Sequence, residues 1–180
     1  MWLTAALVGG LSACAVIPPV AVSTHSDILS GRMTVRIDAL PSSAANPEPT
    51  VASAVSAAFE LSGNAERGGL DLNTPLGTTL ARARWEPGSV IVNTPQGSST
   101  HADLNAMTSA LLGEDLPVAA LFDWLRGRPW PGAAMTPSSS GTEFAQLGWD
   151  VNLTQFSDSW VSARRAQIPA VTVRVKLDKP

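Results

Sequence analysis

Few side chains in this sequence are of types that do covalent chemistry. The one cysteine, Cys14, closes an apolar stretch over residues 3–13, and there are two histidines, His25 and His101. A lone thiol can serve as nucleophile, metal ligand or attachment point, or can be a small buried hydrophobe. It cannot form an internal disulfide, so the framework of a disulfide scaffold is excluded. Asp103 stands two residues from His101 and would share its face in a strand, but a Ser-His-Asp site needs a serine that nothing here singles out. His101 therefore reads as a loop histidine and Asp103 as a helix cap. No G-x-S-x-G elbow, H-E-x-x-H or P-loop occurs, and metal-ligating types are not clustered. No enzyme, no metal and no cofactor are expected.

The composition points to a body rich in turns. The chain has 180 residues, enough for one sizeable core, with 15% charged residues and 14 each of glycine and proline. An average soluble domain carries roughly 25% charged residues. The Gly and Pro content favours many short strands over long helices. A net charge of −3 gives no general attraction to nucleic acid, so none is expected as a partner. Beyond residue 13 no apolar run approaches the ~20 residues of a helical membrane span.

Residues 3–13 resemble the apolar segment of a secretory signal, although no Lys or Arg precedes them. Leu11-Ser12-Ala13-Cys14 resembles the lipobox of bacterial lipoproteins, in which a peptidase cuts before the cysteine and the cysteine carries diacylglycerol and an N-acyl chain. The resemblance implies a signal peptide over 1–13 and a lipidated tether over 14–28, with Pro18-Pro19 within it. Ala15 stands where Asp would direct retention at the inner membrane, so the implied destination is the outer membrane. The remaining alternative is a buried N-terminal helix with an inert cysteine.

Residues 31–38 alternate strictly, with Met33, Val35 and Ile37 on one face, as in a half-buried antiparallel strand. Residues 39–53 are Ala/Ser/Pro-rich and read as a long loop. Further strands are expected over 57–62, 69–73, 78–85 and 89–93, separated by turns such as Glu86-Pro87-Gly88. The period then changes. Asp103 caps a helix to Leu112, with Leu104, Met107, Leu111 and Leu112 on one stripe and Gly113 as its stop. A second helix is expected over 116–125, with Pro117 in its first turn. After a loop over 128–141, alternation returns around Phe144 and Trp149, and residues 170–177 form a last strand. The economical architecture is one curved antiparallel sheet with helices over one face, the residues from 29 to 180 forming a single domain. The tryptophans could line an apolar cavity between sheet and helices, or simply be core. Thr74-Pro75-Leu76-Gly77 fits a type I turn with Leu76 at its tip.

Taken together, these motifs resemble the outer-membrane lipoprotein receptor LolB family. The residues that carry the likeness are the lipobox, Gly31-Arg32-Met33-Thr34-Val35, Pro75-Leu76-Gly77 after a Leu-x-Leu strand, and Trp85-x-x-Gly88. Leu116-Pro117, Leu121-x-x-Trp124-Leu125-x-Gly127-x-Pro129 and Phe144-x-Gln146-x-Gly148-Trp149-x-Val151 follow in matching order. Leu61 departs from the pattern, where the family has Trp. The resemblance implies a mainly β (α+β) fold, an unclosed β-barrel with helices lidding an apolar cavity. It implies a monomeric receptor that accepts acylated lipoproteins from the periplasmic carrier LolA and inserts them into the outer membrane, which it faces from the periplasm. Acyl chains would contact Met33, Val35, Phe59, Leu61, Leu80, Leu121, Trp124, Leu125, Phe144 and Trp149, and Pro75, Leu76 and Gly77 would form the insertion loop. The alternative is an assembly lipoprotein that binds a partner without moving acyl chains. Mass spectrometry of the chain from its bacterial host is expected to find Cys14 as a triacylated N-terminus; an unmodified Met1 would refute the anchor.

Overall fold

The computed structural model describes residues 28–40 and 51–179. Residues 1–13, Cys14, His25 and all but the last residue of the tether lie outside the described residues, as do residues 41–50 of the Ala/Ser/Pro-rich loop. Among the described residues eleven strands form one antiparallel sheet: β1 (Leu29–Ile37), β2 (Ser53–Gly63), β3 (Gly68–Asn73), β4 (Thr79–Glu86), β5 (Ser89–Thr94), β6 (Gly97–His101), β7 (Met135–Pro137), β8 (Glu143–Gln146), β9 (Trp149–Asn152), β10 (Trp160–Arg165) and β11 (Val171–Leu177). Their spatial order is β6-β5-β4-β3-β2-β1-β11-β10-β9-β8-β7, so the sheet is not closed and β6 and β7 are its edges. β1 sits at the middle. It joins the β2–β6 meander to the β7–β11 meander, with Val35 opposite Val55 on one side and Val173 on the other.

Among the described residues two α-helices lie between β6 and β7 in the chain. In α1 (Leu104–Leu112) the Asp103 carboxylate accepts the Ala106 N–H at 2.8 Å, and Gly113, at φ +73°, closes the helix by donating to the Ser109 carbonyl. That left-handed closure suits glycine, which has no Cβ to clash. α2 (Val118–Trp124) is shorter than its apolar pattern suggests. Pro117 stands at the cap, not within the first turn, because a residue without an N–H fits where no intrahelical donor is needed.

Elsewhere the structure corrects the sequence reading. The strand β2 starts at Ser53, four residues before the expected 57, and β6, β7 and β10 are strands that the pattern did not announce. Around Phe144 and Trp149 there are two strands instead of one alternating run. Leu147 and Gly148 both adopt positive φ, as a two-residue type I′ hairpin requires. The hairpin resets the parity, so Phe144, Gln146, Trp149 and Val151 all face inward and are buried.

The core runs along the inner face of the sheet and the apolar sides of both helices. Beneath α2, the Trp124 ring meets Phe144 edge-on and Trp149 at a tilt, both with centroids 6.4 Å away. Gln146 is buried at the centre of this group. Its Oε1 accepts from Trp124 Nε1 at 2.8 Å and from the Trp130 N–H at 3.0 Å. Its Nε2 donates to the carbonyls of Trp130 at 2.7 Å and Ala133 at 2.8 Å. Every hydrogen-bonding position of the amide is used, which is what makes a buried Gln tolerable. Gln146→Leu keeps the bulk and strands four polar groups, and should lower unfolding free energy by about 3 kcal/mol or more. Urea denaturation checks it, and a loss below about 1 kcal/mol would show that the amide is dispensable.

Candidate functional site

A pocket of about 300 Å³ opens between the inner face of β1–β5 and the two helices. Its sheet wall is built by alternation: Met33 and Val35 on β1, Ala57, Phe59 and Leu61 on β2, Leu70 and Leu72 on β3. Between β3 and β4 the register slips, Leu72 pairing with Ala81 and Asn73 with Thr79, which leaves Leu80 as an extra residue on β4. A bulge of this kind re-aims a side chain, and here Leu80 and its neighbour Ala81 both reach the pocket. The roof is helical, from Met107, Leu111 and Leu112 of α1 and Val118 and Leu121 of α2, with Leu125 just beyond it. No charged side chain lines the pocket. Two threonines do, and their hydroxyls are engaged locally. Thr108 donates to the Asn105 carbonyl and accepts the Leu116 N–H, while Thr94 bonds to the Gly97 carbonyl.

Of the ten residues expected to line a cavity, Met33, Val35, Phe59, Leu61, Leu80, Leu121 and Leu125 do so. Trp124, Phe144 and Trp149 do not. They fill the other half of the interior as the aromatic group around Gln146, a correction that follows from the direction α2 presents: Trp124 faces β8 and β9, while Leu121 and Leu125 face the pocket. The α1 residues Met107 and Leu111 were missed as lining, although their helical stripe was the available signal.

The Leu76 turn lies next to this pocket. Gly77 donates to the Thr74 carbonyl at 2.9 Å, the Thr78 N–H reaches Thr74 Oγ1 at 3.1 Å, and the Thr74 N–H reaches the Thr78 carbonyl at 2.7 Å. Gly77 has φ +86°. Held this way, Leu76 is 95% exposed, more than any other large apolar side chain described. Four residues on either side of it, Leu72 and Leu80 line the pocket.

Several arginines near the site are occupied within the chain. Asp71 accepts a bidentate pair of bonds from Arg84 at 2.9 and 2.8 Å and lies 3.8 Å from Arg82. Hydrogen bonding to Asp71 pushes the Arg84 guanidinium above its usual range, against the lowering effect of burial. Arg128 pairs with Asp123 at 2.6 Å, and Arg165 with Glu114 in the link between the helices. Arg165 also stacks over Trp149, with 5.7 Å from its guanidinium to the ring centroid. His101 is bonded by Ser99 Oγ at 3.0 Å and Asp103 is spent on the α1 cap, so the two do not meet as a dyad. Among the described residues no three His, Cys, Asp or Glu side chains are grouped to hold a metal, and no helix is long and apolar enough to cross a membrane.

Comparison with known proteins gives a consistent result. Residues 46–179 match the family described as "Outer membrane lipoprotein LolB". A relative from Bordetella petrii, named outer-membrane lipoprotein LolB, is 31% identical over 163 residues, covering 87% of this chain and 79% of the relative. Proteins of the same name from Bordetella pertussis (37% over 93 residues) and Cupriavidus pinatubonensis (36% over 105 residues) align over 48% and 56% of this chain and 47% and 50% of their own lengths. The pocket itself can be tested apart from any relative. Ala57→Phe projects a ring into open space, so the melting temperature should hold within a few degrees. Titration with an environment-sensitive naphthylamine dye should show at least about tenfold weaker binding. Unchanged dye affinity in a folded variant would mean that the dye binds elsewhere.

Proposed function

The chain belongs to the outer membrane lipoprotein LolB family, and on that premise we propose that it is the outer-membrane receptor that takes acylated lipoproteins from the carrier LolA and inserts them into the membrane. In this reading residues 1–13 are a removed signal, Cys14 carries the lipid anchor, residues 14–28 form the tether, and residues 29–180 form one lipoprotein-binding domain facing the periplasm. The domain acts as a monomer by binding and release, without covalent catalysis and without nucleic acid.

The observation that carries this reading is the uncharged pocket with an exposed leucine turn beside it. Each methylene of an acyl chain is worth about 0.8 kcal/mol of burial, so three chains cost roughly 30 kcal/mol to leave in water. Cargo of that kind needs a shielded route. An apolar wall of Val, Leu, Met and Phe offers the shield, and a handover driven by affinity requires the receptor to hold the chains more tightly than the carrier and less tightly than the bilayer. Leu76 is short enough to enter the lipid interface and too small to anchor the protein there. Two signals are needed for stable anchoring in lipid, which the chains on Cys14 supply.

Leu76→Glu should fold normally, since so exposed a side chain contributes within about 0.5 kcal/mol. It should still take cargo from LolA but fail to deliver it to outer-membrane vesicles. Delivery at the unmodified rate by this variant would remove Leu76 from the mechanism.

A further inference from the structure

We propose that the end of the sheet carrying the Leu76 turn is a lipid-docking rim, in which the hairpin tip at Leu147 and the loop at Ile168 seat on the bilayer together with Leu76. This rests on the membrane-delivery reading above and adds the surface that orients the domain on lipid.

The register places the three tips at one end of the molecule. β3 and β4 pair as far as Asn73 and Thr79, β8 and β9 as far as Gln146 and Trp149, and β10 and β11 as far as Arg165 and Val171. β1 runs toward the same end, at Ile37, and ties the two halves into one frame. With strands about 4.8 Å apart, Ile168 lies four spacings, or about 19 Å along the sheet, from Leu76. The hairpin turns here, residues 74–78, 95–96, 147–148 and 166–170, hold no charged residue, whereas turns at the opposite end carry Glu66, Arg67 and Asp158. Asp38, Glu114 and Asp115, in the longer connections near the rim, are engaged by Arg36, Arg165 and Ser109. Ile168 is 73% exposed and Leu147 46%, and Met135, opposite Gln146 on the β7 edge, adds a further exposed apolar side chain.

Leu147 is a residue that the turn alone would not choose. Its φ is +55°, at the first position of a type I′ turn, where Asn, Asp or Gly relieves the clash of a Cβ. A leucine there strains the backbone, and its half-exposed side chain gains only part of the burial that could offset this. Insertion into lipid completes that burial. A bilayer suits the rim because it is broad enough to meet tips about 19 Å apart and asks for no charge on them. The chain is also long enough to allow it. The domain is held from the opposite end, at Leu29, and the nine residues of β1 extend about 30 Å. Residues 14–28 can span up to about 50 Å, so an anchor at Cys14 leaves the rim free to turn to the membrane.

The test uses the full chain purified from its bacterial host and mixed with vesicles of phosphatidylethanolamine and phosphatidylglycerol that carry a quencher on their acyl chains. A fluorophore is attached through Leu76→Cys, Leu147→Cys, Ile168→Cys or, at the opposite end, Glu66→Cys, with the chain lacking an added cysteine as the labelling background. The first three should be quenched and Glu66→Cys should not. In parallel, Leu147→Asn combined with Ile168→Thr suits the turn and keeps a β-branched residue before Pro169, so it should not lower the melting temperature. It should take cargo from LolA normally but deliver it to vesicles at least about fourfold more slowly, the equivalent of one methylene withdrawn from lipid. If this double variant loses stability, the quenching pattern decides alone. Quenching at position 76 only, or full-rate delivery by the folded double variant, would overturn the rim and leave the role of Leu76 standing. Quenching at position 66 and not at the tips would overturn the orientation. No quenching at any of the four positions would overturn both this proposal and the membrane-delivery reading.

Discussion

Gln146 offers two acceptor positions and two N–H donors in a place where water does not reach, and each is met by another part of the chain. Trp124 belongs to α2, Trp130 and Ala133 to the segment that leads from α2 back to the sheet, and Gln146 itself to β8. One amide thereby fixes how the helical arm docks. The placement of α2 decides which of its faces meets which half of the sheet, and through Leu121 and Leu125 it decides the roof of the pocket. Apolar packing alone is non-directional. A fully satisfied buried amide supplies the direction, since sliding of α2 would leave its Trp124 N–H without the Gln146 acceptor.

The inner face of the sheet is thus used in two ways. Under the β8–β9 hairpin it is filled to the density of a core by three aromatic rings. Under β1–β5 the same alternation of small and branched residues, with alanines at 57, 81 and 83, leaves space. Small side chains on the sheet wall opposite leucines on the helices are what keep the pocket open. The outer face carries the charge, and the bidentate bonds of Arg84 to Asp71 stitch β3 to β4 just before the Leu76 turn. A stiff pair of strands behind an exposed leucine holds that tip away from the body.

Several elements were legible because local chemistry and tertiary demand agree. β1 and β11 alternate cleanly, since one face of each is buried; α1 announces both ends through Asp103 and Gly113. The Thr74–Gly77 turn reads directly from Pro75 and Gly77. β6 was hidden because Gly97-Ser98-Ser99-Thr100-His101 has no apolar face to show, and β7 because Pro137 argues against a strand anywhere but at an edge. The parity around Phe144 and Trp149 depended on a two-residue turn that only backbone geometry reveals. Trp124, Phe144 and Trp149 could not be told from pocket residues, because large apolar side chains pattern alike whether they fill a space or border one. Gln146, a single polar residue in an apolar run, gave no sign that four partners would converge on it.

An unclosed sheet leaves two free strand edges, and a free edge is a template on which another chain can add itself. Here both edges are poor templates. β7 is three residues long and ends in Pro137, which has no N–H to offer, while β6 is short and polar, with α1 packed beside it. Among the described residues, then, the open sheet offers no edge on which another strand could readily be added, and its apolar interior is left open without one.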